Sequence, residues 1–68
     1  MKINEILATN IKKYRIRNNL TQEQLAEKCN LHRTYISSIE LCKKVPTLGT
    51  IEKISKELKI EIYELFKL

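Results

Sequence analysis

A short polar run is the part of this sequence whose residue types could do chemistry. The segment "LHRTYISSIE" combines an arginine, a tyrosine and three hydroxyl-bearing residues: Arg33, Thr34, Tyr35, Ser37 and Ser38. An arginine can donate to guanine O6 and N7 in a fork, and hydroxyl groups can bond several base edges. The alternative interpretation is a plain exposed helix start. The choice between a base-reading segment and a plain helix start therefore depends on the secondary structure predicted around it.

A second group of reactive residue types is Cys29-x-x-His32 with Cys42. These residues offer three ligands, whereas structural zinc takes four, and Cys29 fits a core position. A catalytic Cys–His pair has nothing in the sequence to orient the histidine, and so small a domain offers little pocket. We therefore predict no metal, no cofactor and no enzymatic activity.

Helical periodicity runs through almost the whole chain, and no segment alternates with period two. The spacing predicts five helices in a compact all-α bundle with short loops. The predicted inner faces comprise Leu7, Ile11 and Tyr14; Leu25, Ala26 and Cys29; Ile36 and Ile39; Leu48, Ile51, Ile54 and Leu58; and Ile62, Leu65 and Phe66.

Local signals mark where these helices begin and end. Asn18-Asn19 and Asn30 suit the left-handed conformation that follows a helix. Thr21 and Gln24 have the spacing of a capping box. Pro46 forces the preceding residue to be extended, and Thr47 can cap the fourth helix.

The second and third helices are joined by a turn of three or four residues, which is the spacing of a helix-turn-helix unit. Ala26 is small enough to let the two helices approach closely, and Ile36 and Ile39 anchor the third helix. The polar run then lies at the N-terminal end of the second helix of the pair. That end is the part of a recognition helix that reaches base edges in a major groove.

The composition is that of one small globular domain. The chain has 68 residues, 43% hydrophobic and 31% charged, with a net charge of +5. Residues 1–20 carry five Lys/Arg against one Glu, and Lys43 and Lys44 form a second basic cluster. Such a basic face suits nucleic acid or another polyanion, although a solvated surface explains the charge equally well. Without a signal peptide or membrane span, we expect a cytoplasmic protein with reduced thiols.

Two longer segments resemble a known family. "LTQEQLAEKCNLHRTYISSIE" and "VPTLGTIEKISKELKIEIYELF" are similar to the phage-repressor/Cro-like (XRE-type) helix-turn-helix domain. Within that family "RTYISSIE" is most similar to the controller proteins of restriction–modification systems. The resemblance implies one domain over residues 1–68, with the helix-turn-helix at about 21–40.

The resemblance also implies roles for single residues. Arg33, Thr34, Tyr35, Ser37 and Ser38 would contact or adjoin bases. Phosphate contacts are predicted for Gln22, His32, Lys43, Lys44 and Arg17. Arg15 and Glu40 match a structural ion pair between the first helix and the end of the third. The implied partners are double-stranded DNA, a second copy of the chain and RNA polymerase, which bound protein would block or recruit.

The chain departs from the family pattern at two places. His32 replaces the usual Ser, Thr or Asp and is a poorer N-cap; either a DNA phosphate compensates or the loss is tolerated. Leu41-Cys42 replaces Arg-Gly or Arg-Asn, so a positive φ at Cys42 would be mildly strained.

The C-terminus is rich in apolar residues, more than one small core requires. We predict a homodimer through Ile62, Tyr63, Phe66 and Leu68. The alternative is a helical module that binds a different protein, such as an antitoxin or coactivator-like adaptor.

Overall fold

A computed structural model describes residues 2–68 of the chain. It contains four α-helices, α1 (Ile3–Arg17), α2 (Gln22–Cys29), α3 (Arg33–Glu40) and α4 (Leu48–Glu57), followed by a 3₁₀-helix, Ile62–Phe66. No β-strand occurs in this part of the chain. The predicted all-α bundle is confirmed, with a 3₁₀-helix as its short fifth element.

One apolar core joins all five elements. Its fully buried side chains include Ile11, Leu25, Ile36, Ile39, Ile54, Leu58 and Leu65. Helix α2 packs on α3 and α4, while α1 packs on α3 and the 3₁₀-helix. Asn10, itself buried, donates to the carbonyls of Leu65 and Lys67 at 2.9 and 2.7 Å and fastens the chain end to α1.

The four α-helices end in the same way. The residues with positive φ are Asn19, Asn30, Cys42 and Lys59, one just past each helix. In every case the amide of the following residue donates to the carbonyl five residues earlier, as in Leu31 to Ala26 at 2.8 Å. This is the Schellman motif, in which a left-handed residue satisfies the last helical carbonyls. The predicted stops at Asn18-Asn19 and Asn30 are confirmed, and Cys42 has the strained φ of 61°.

The predicted inner faces hold with two exceptions, Leu48 and Ile62, the latter 42% exposed. Leu48 was predicted to face the core, but it is 84% exposed. It is the first residue of α4, directly after the Thr47 N-cap. The helix therefore begins beyond the edge of the core, which is reached one turn later by Ile51. The prediction was wrong because the periodicity ignores where the neighbouring elements end.

The thiol of Cys29 belongs to the core. Burial raises the pKa of Cys29 above its ordinary value near 9.0, and the Glu57 charge raises it further, with Lys53 acting in the opposite direction. The group is therefore a neutral packing residue. Among residues 2–68 no three His, Cys, Asp or Glu side chains are grouped to hold a metal ion, and no helix there has the length and apolar character to span a membrane.

Candidate nucleic-acid interface

The geometry of α2 and α3 is set by the caps at either end of α2. The Thr21 hydroxyl accepts from the Gln24 amide at 3.0 Å, and Gln24 Oε1 accepts from the Thr21 amide at 2.8 Å, which confirms the predicted capping box. At the other end Asn30, with φ 55°, turns the chain. Leu31 then packs against the core and α3 begins two residues later.

Helix α3 has one buried and one accessible face. Ile36 and Ile39 are buried, and Arg33 and Thr34 are exposed at the first turn. Tyr35, Ser37 and Ser38 are partly accessible. The polar residues singled out in the sequence are thus brought to one helix whose opposite face is fixed in the core. That arrangement offers an arginine fork and several hydroxyl groups to a groove.

A chain of hydrogen bonds connects this helix to the interior. Arg15 Nε and Nη2 donate to the two oxygens of Glu40 at 2.7 and 3.1 Å, and Arg15 Nη1 donates to the Leu20 carbonyl at 2.7 Å. Gln22 Nε2 donates to Glu40 Oε1 at 3.1 Å. Gln22 Oε1 in turn accepts from Arg33 Nη1 at 3.4 Å. The structure therefore contains the Arg15–Glu40 ion pair and extends it to Arg33.

The loop after α3 carries the second basic cluster. In the Schellman motifs of α1, α2 and α4, the residue after the left-handed one is Leu20, Leu31 or Ile60, each packed on the core. After α3 that position is Lys43, whose amide donates to the Ser38 carbonyl at 2.8 Å. An apolar contact usual at such an end is replaced by an exposed cation. The Lys44 ammonium lies 6.0 Å from the centre of the Tyr35 ring.

His32 and Arg17 occupy different surroundings. His32 is the exposed N-cap residue of α3, and its side chain makes no capping hydrogen bond. Arg17 lies on α1 with its guanidinium 5.4 Å from the centre of the Tyr14 ring. The Tyr14 hydroxyl donates to Glu64 at 3.3 Å, on the 3₁₀-helix. The structure thus places His32 beside the polar residues of α3, whereas Arg17 lies beside Tyr14 of its own helix.

The residues predicted for the dimer interface lie around the end of the chain. Ile62 and Tyr63 are 42% and 64% exposed, Leu68 is exposed, and Phe66 is partly buried against the core. A groove of about 330 Å³ is lined by Leu48, Gly49, Ile51, Glu52, Ile62 and Phe66. Leu48 was missed by sequence reasoning because its helical spacing matched the core face.

Comparison with known proteins gives the class. Residues 11–65 match the helix-turn-helix family HTH_3. Control protein C.SmaI from Serratia marcescens is 49% identical over 65 residues, 96% of this chain and 77% of that protein. The hypothetical transcription factor NHTF from Neisseria superposes with a TM-score of 0.93 at 33% identity, covering 97% of this chain and 76% of that one. For the restriction-modification controller protein C.AhdI from Aeromonas hydrophila the TM-score is 0.89 at 30% identity, with coverage of 93% and 96%.

The fold and its α2–α3 unit define a helix-turn-helix protein of the kind that binds DNA and regulates transcription. The chain belongs to the helix-turn-helix family HTH_3, which is the XRE-type family, and it is similar to restriction–modification control proteins.

Proposed function

We propose that this protein is a sequence-specific regulator that binds a two-fold symmetric operator as a homodimer and controls a restriction–modification operon. The accessible polar face of α3, opposite the buried Ile36 and Ile39, is the observation that carries the proposal. The similarity to C.SmaI and C.AhdI supports the controller role. Bound protein would block or recruit RNA polymerase according to where the operator lies. No catalytic step is involved.

Base recognition is assigned to α3. Arg33 reads a guanine through its fork, and Thr34, Ser37 and Ser38 supply hydroxyl groups to neighbouring base edges. Tyr35 contacts a thymine methyl or the sugar at the edge of the helix. This division is supported by exposure, which is greatest for Arg33 and Thr34 in the first turn of the helix.

Phosphate recognition surrounds that helix. Lys43 and Lys44 follow α3, Gln22 begins α2, and His32 precedes α3, where first-turn amides lack a side-chain cap. Phosphates bind well at such helix starts because the amide dipoles are aligned. Arg17 remains a predicted phosphate contact that would need DNA running past the end of α1.

The size of one copy and the apolar groove support the homodimer. The longest dimension of one copy is 29 Å, whereas successive major grooves on one face of DNA are about 34 Å apart. One copy therefore presents one recognition helix to one half-site. We assign the groove between α4 and the 3₁₀-helix, which Leu48, Ile62 and Phe66 line, to a second copy of this chain. The predicted Tyr63 and Leu68 do not line the groove and would extend the interface from the exposed chain end.

Selection from random duplex DNA tests the reading of bases. We expect a two-fold symmetric motif with half-sites about one helical turn apart. Arg33→Ala should cost about 1–3 kcal/mol and relax the preference at one base pair per half-site. Lys43→Ala should weaken all sequences alike and lower the slope of log K against log salt by about one. Lys56→Ala, the same change of charge on the exposed face of α4, should change neither the affinity nor the salt slope. Unaltered specificity in Arg33→Ala would refute our register for α3.

Sedimentation tests the dimer. Leu48→Gln should lower self-association because it places an amide in the apolar groove, whereas Ile3→Gln changes an exposed apolar residue at the start of α1 and should leave it unchanged. A monomer at tens of micromolar, with and without operator, would contradict the homodimer.

A protein-binding adaptor is the second candidate, and the exposed groove favours it. An adaptor would recover no DNA motif and would lose duplex binding at physiological salt. In that case Leu48→Gln should abolish capture of the partner rather than self-association.

A further inference from the structure

The hydrogen-bonded chain from Arg15 to Arg33 fixes which atom of Gln22 faces outward. The Glu40 carboxylate can only accept hydrogen bonds. Its Oε1 lies 3.1 Å from the Gln22 amide group. Only the NH₂ side of that amide can face a carboxylate oxygen, because the reverse orientation would set two oxygens against each other. Gln22 Oε1 is therefore directed away from Glu40.

The carboxylate that imposes this orientation is itself held rigidly. The Glu40 side chain is 3% exposed and its partner Arg15 is 11% exposed. Arg15 reaches both carboxylate oxygens and also the Leu20 carbonyl, so partners on α3 and in the turn after α1 fix its guanidinium. Such enclosure leaves Glu40 little freedom to rotate. The orientation of Gln22 is thus a consequence of the folded core.

The outward-facing oxygen of Gln22 meets the guanidinium of Arg33. Nη1 of Arg33 donates to it at 3.4 Å, across a shallow cleft of about 420 Å³ lined by Arg15, Thr21, Gln22, Glu23 and Arg33. An arginine carries five N–H donors, so this bond leaves others free for a base. It also removes part of the rotamer freedom that an exposed arginine would lose on binding.

We propose that Glu40 is a positioning residue for base recognition: held by Arg15, it orients the Gln22 carboxamide so that Gln22 Oε1 presents Arg33 to its guanine. This inference rests on the proposed function, in which Arg33 reads a base. Glu40 touches no DNA in this arrangement and acts through Gln22 alone. The buried ion pair then sets specificity as well as stability.

The test compares discrimination at the Arg33 base pair in matched variants. Discrimination is the ratio of Kd for the selected operator with that guanine replaced to Kd for the operator itself. Gln22→Met keeps the ion pair and the side-chain length but removes the oriented oxygen. Glu40→Gln keeps the shape but replaces one of the two acceptor oxygens by an NH₂ group, so position 40 no longer imposes a single orientation on Gln22. We expect each to lower discrimination roughly two- to tenfold, the value of one hydrogen bond at a partly exposed site. Glu5→Gln, the same change of charge at the exposed start of α1, should leave it unchanged.

Combination with Arg33→Ala separates the possible outcomes. If Glu40 acts through Arg33, then Glu40→Gln should not lower discrimination further in an Arg33→Ala background. Full discrimination in both Gln22→Met and Glu40→Gln, with Arg33→Ala still losing it, would overturn the inference and leave the proposed function intact. A wild-type protein without base preference, or an Arg33→Ala variant with unaltered preference, would refute both. Because Gln22→Met keeps the Arg15–Glu40 bonds, its result stands even if Glu40→Gln fails to fold.

Discussion

Removal of Arg15 alone is expected to lower the free energy of unfolding of this protein by a large fraction. Glu40 is 3% exposed and receives two hydrogen bonds from Arg15 and one from Gln22. In Arg15→Met the apolar stem is kept, but the carboxylate stays in the interior with its cation gone. An unpaired buried charge costs about 3–5 kcal/mol. The Leu20 carbonyl also loses a donor at 2.7 Å.

That cost is large for a chain of 68 residues. At about 0.05–0.15 kcal/mol per residue, the free energy of unfolding is roughly 3–10 kcal/mol. The substitution should therefore remove between about a third and all of it. Urea unfolding followed by far-ultraviolet circular dichroism measures the loss directly. We expect a lower midpoint and an unchanged slope if the unfolded state is the same.

Two further variants decide whether the unpaired charge is the cause. Arg15→Met combined with Glu40→Leu removes both charges and should recover most of the loss, because paired apolar residues often replace a buried ion pair without cost. Arg17→Met removes an arginine that lies 5.4 Å from the Tyr14 ring on the exposed surface, and should cost under about 1 kcal/mol. A double variant as unstable as Arg15→Met, or a loss in Arg15→Met below about 1 kcal/mol, would refute the reasoning.

Two other predictions concern the cysteines. Cys42→Gly should raise the free energy of unfolding, measured in urea, by about 0.5–1 kcal/mol. The left-handed conformation of Cys42 costs roughly 1–2 kcal/mol, and the greater freedom of glycine in the unfolded chain offsets part of the gain. Asn30→Gly should gain less, and equal gains would contradict the strain at Cys42. The raised pKa of Cys29 means that its stability contribution is complete below pH 9.0 and is lost above it, as the unfolded chain ionises first. Between about pH 8 and about pH 10 the difference in free energy of unfolding between wild type and Cys29→Ala should therefore shrink, by up to about 1.4 kcal/mol per pH unit. A difference that stays constant in urea unfolding would show that the thiol is not held neutral.

The elements of this fold were predictable because their signals are local. A helix end needs a residue that tolerates positive φ, and Asn30 supplies it within the turn itself. A side-chain acceptor favours a helix start, and Thr21 and Thr47 both accept the expected amides. Such interactions join residues three to five positions apart, so the sequence alone contains both partners. The helix-turn-helix spacing follows from the same short-range signals.

Contacts over longer distances could not be obtained in that way. Leu48 has the spacing of a core residue, and only the position of the 3₁₀-helix shows that it faces a groove. The bonds of Gln22 to Glu40 and Arg33 join residues 18 and 11 positions apart. Resemblance to the family implied the Arg15–Glu40 pair and a phosphate role for Gln22. It did not indicate that one carboxylate serves both side chains.

The Glu40 carboxylate bonds both Arg15 and Gln22, so a change that loosens the ion pair also affects base recognition, whereas the reverse does not hold. Any change that displaces Glu40 also releases the amide of Gln22, so variants at Arg15 or Glu40 should lose stability and discrimination together. A change at Gln22 leaves the two Arg15 bonds to Glu40 in place, so it should lower discrimination with little loss of stability. Among single substitutions at these three positions the two measurements should therefore separate at Gln22 alone. A single substitution in the Arg15–Glu40 pair thus also disturbs the interface, whereas Gln22 can be altered while the pair is kept.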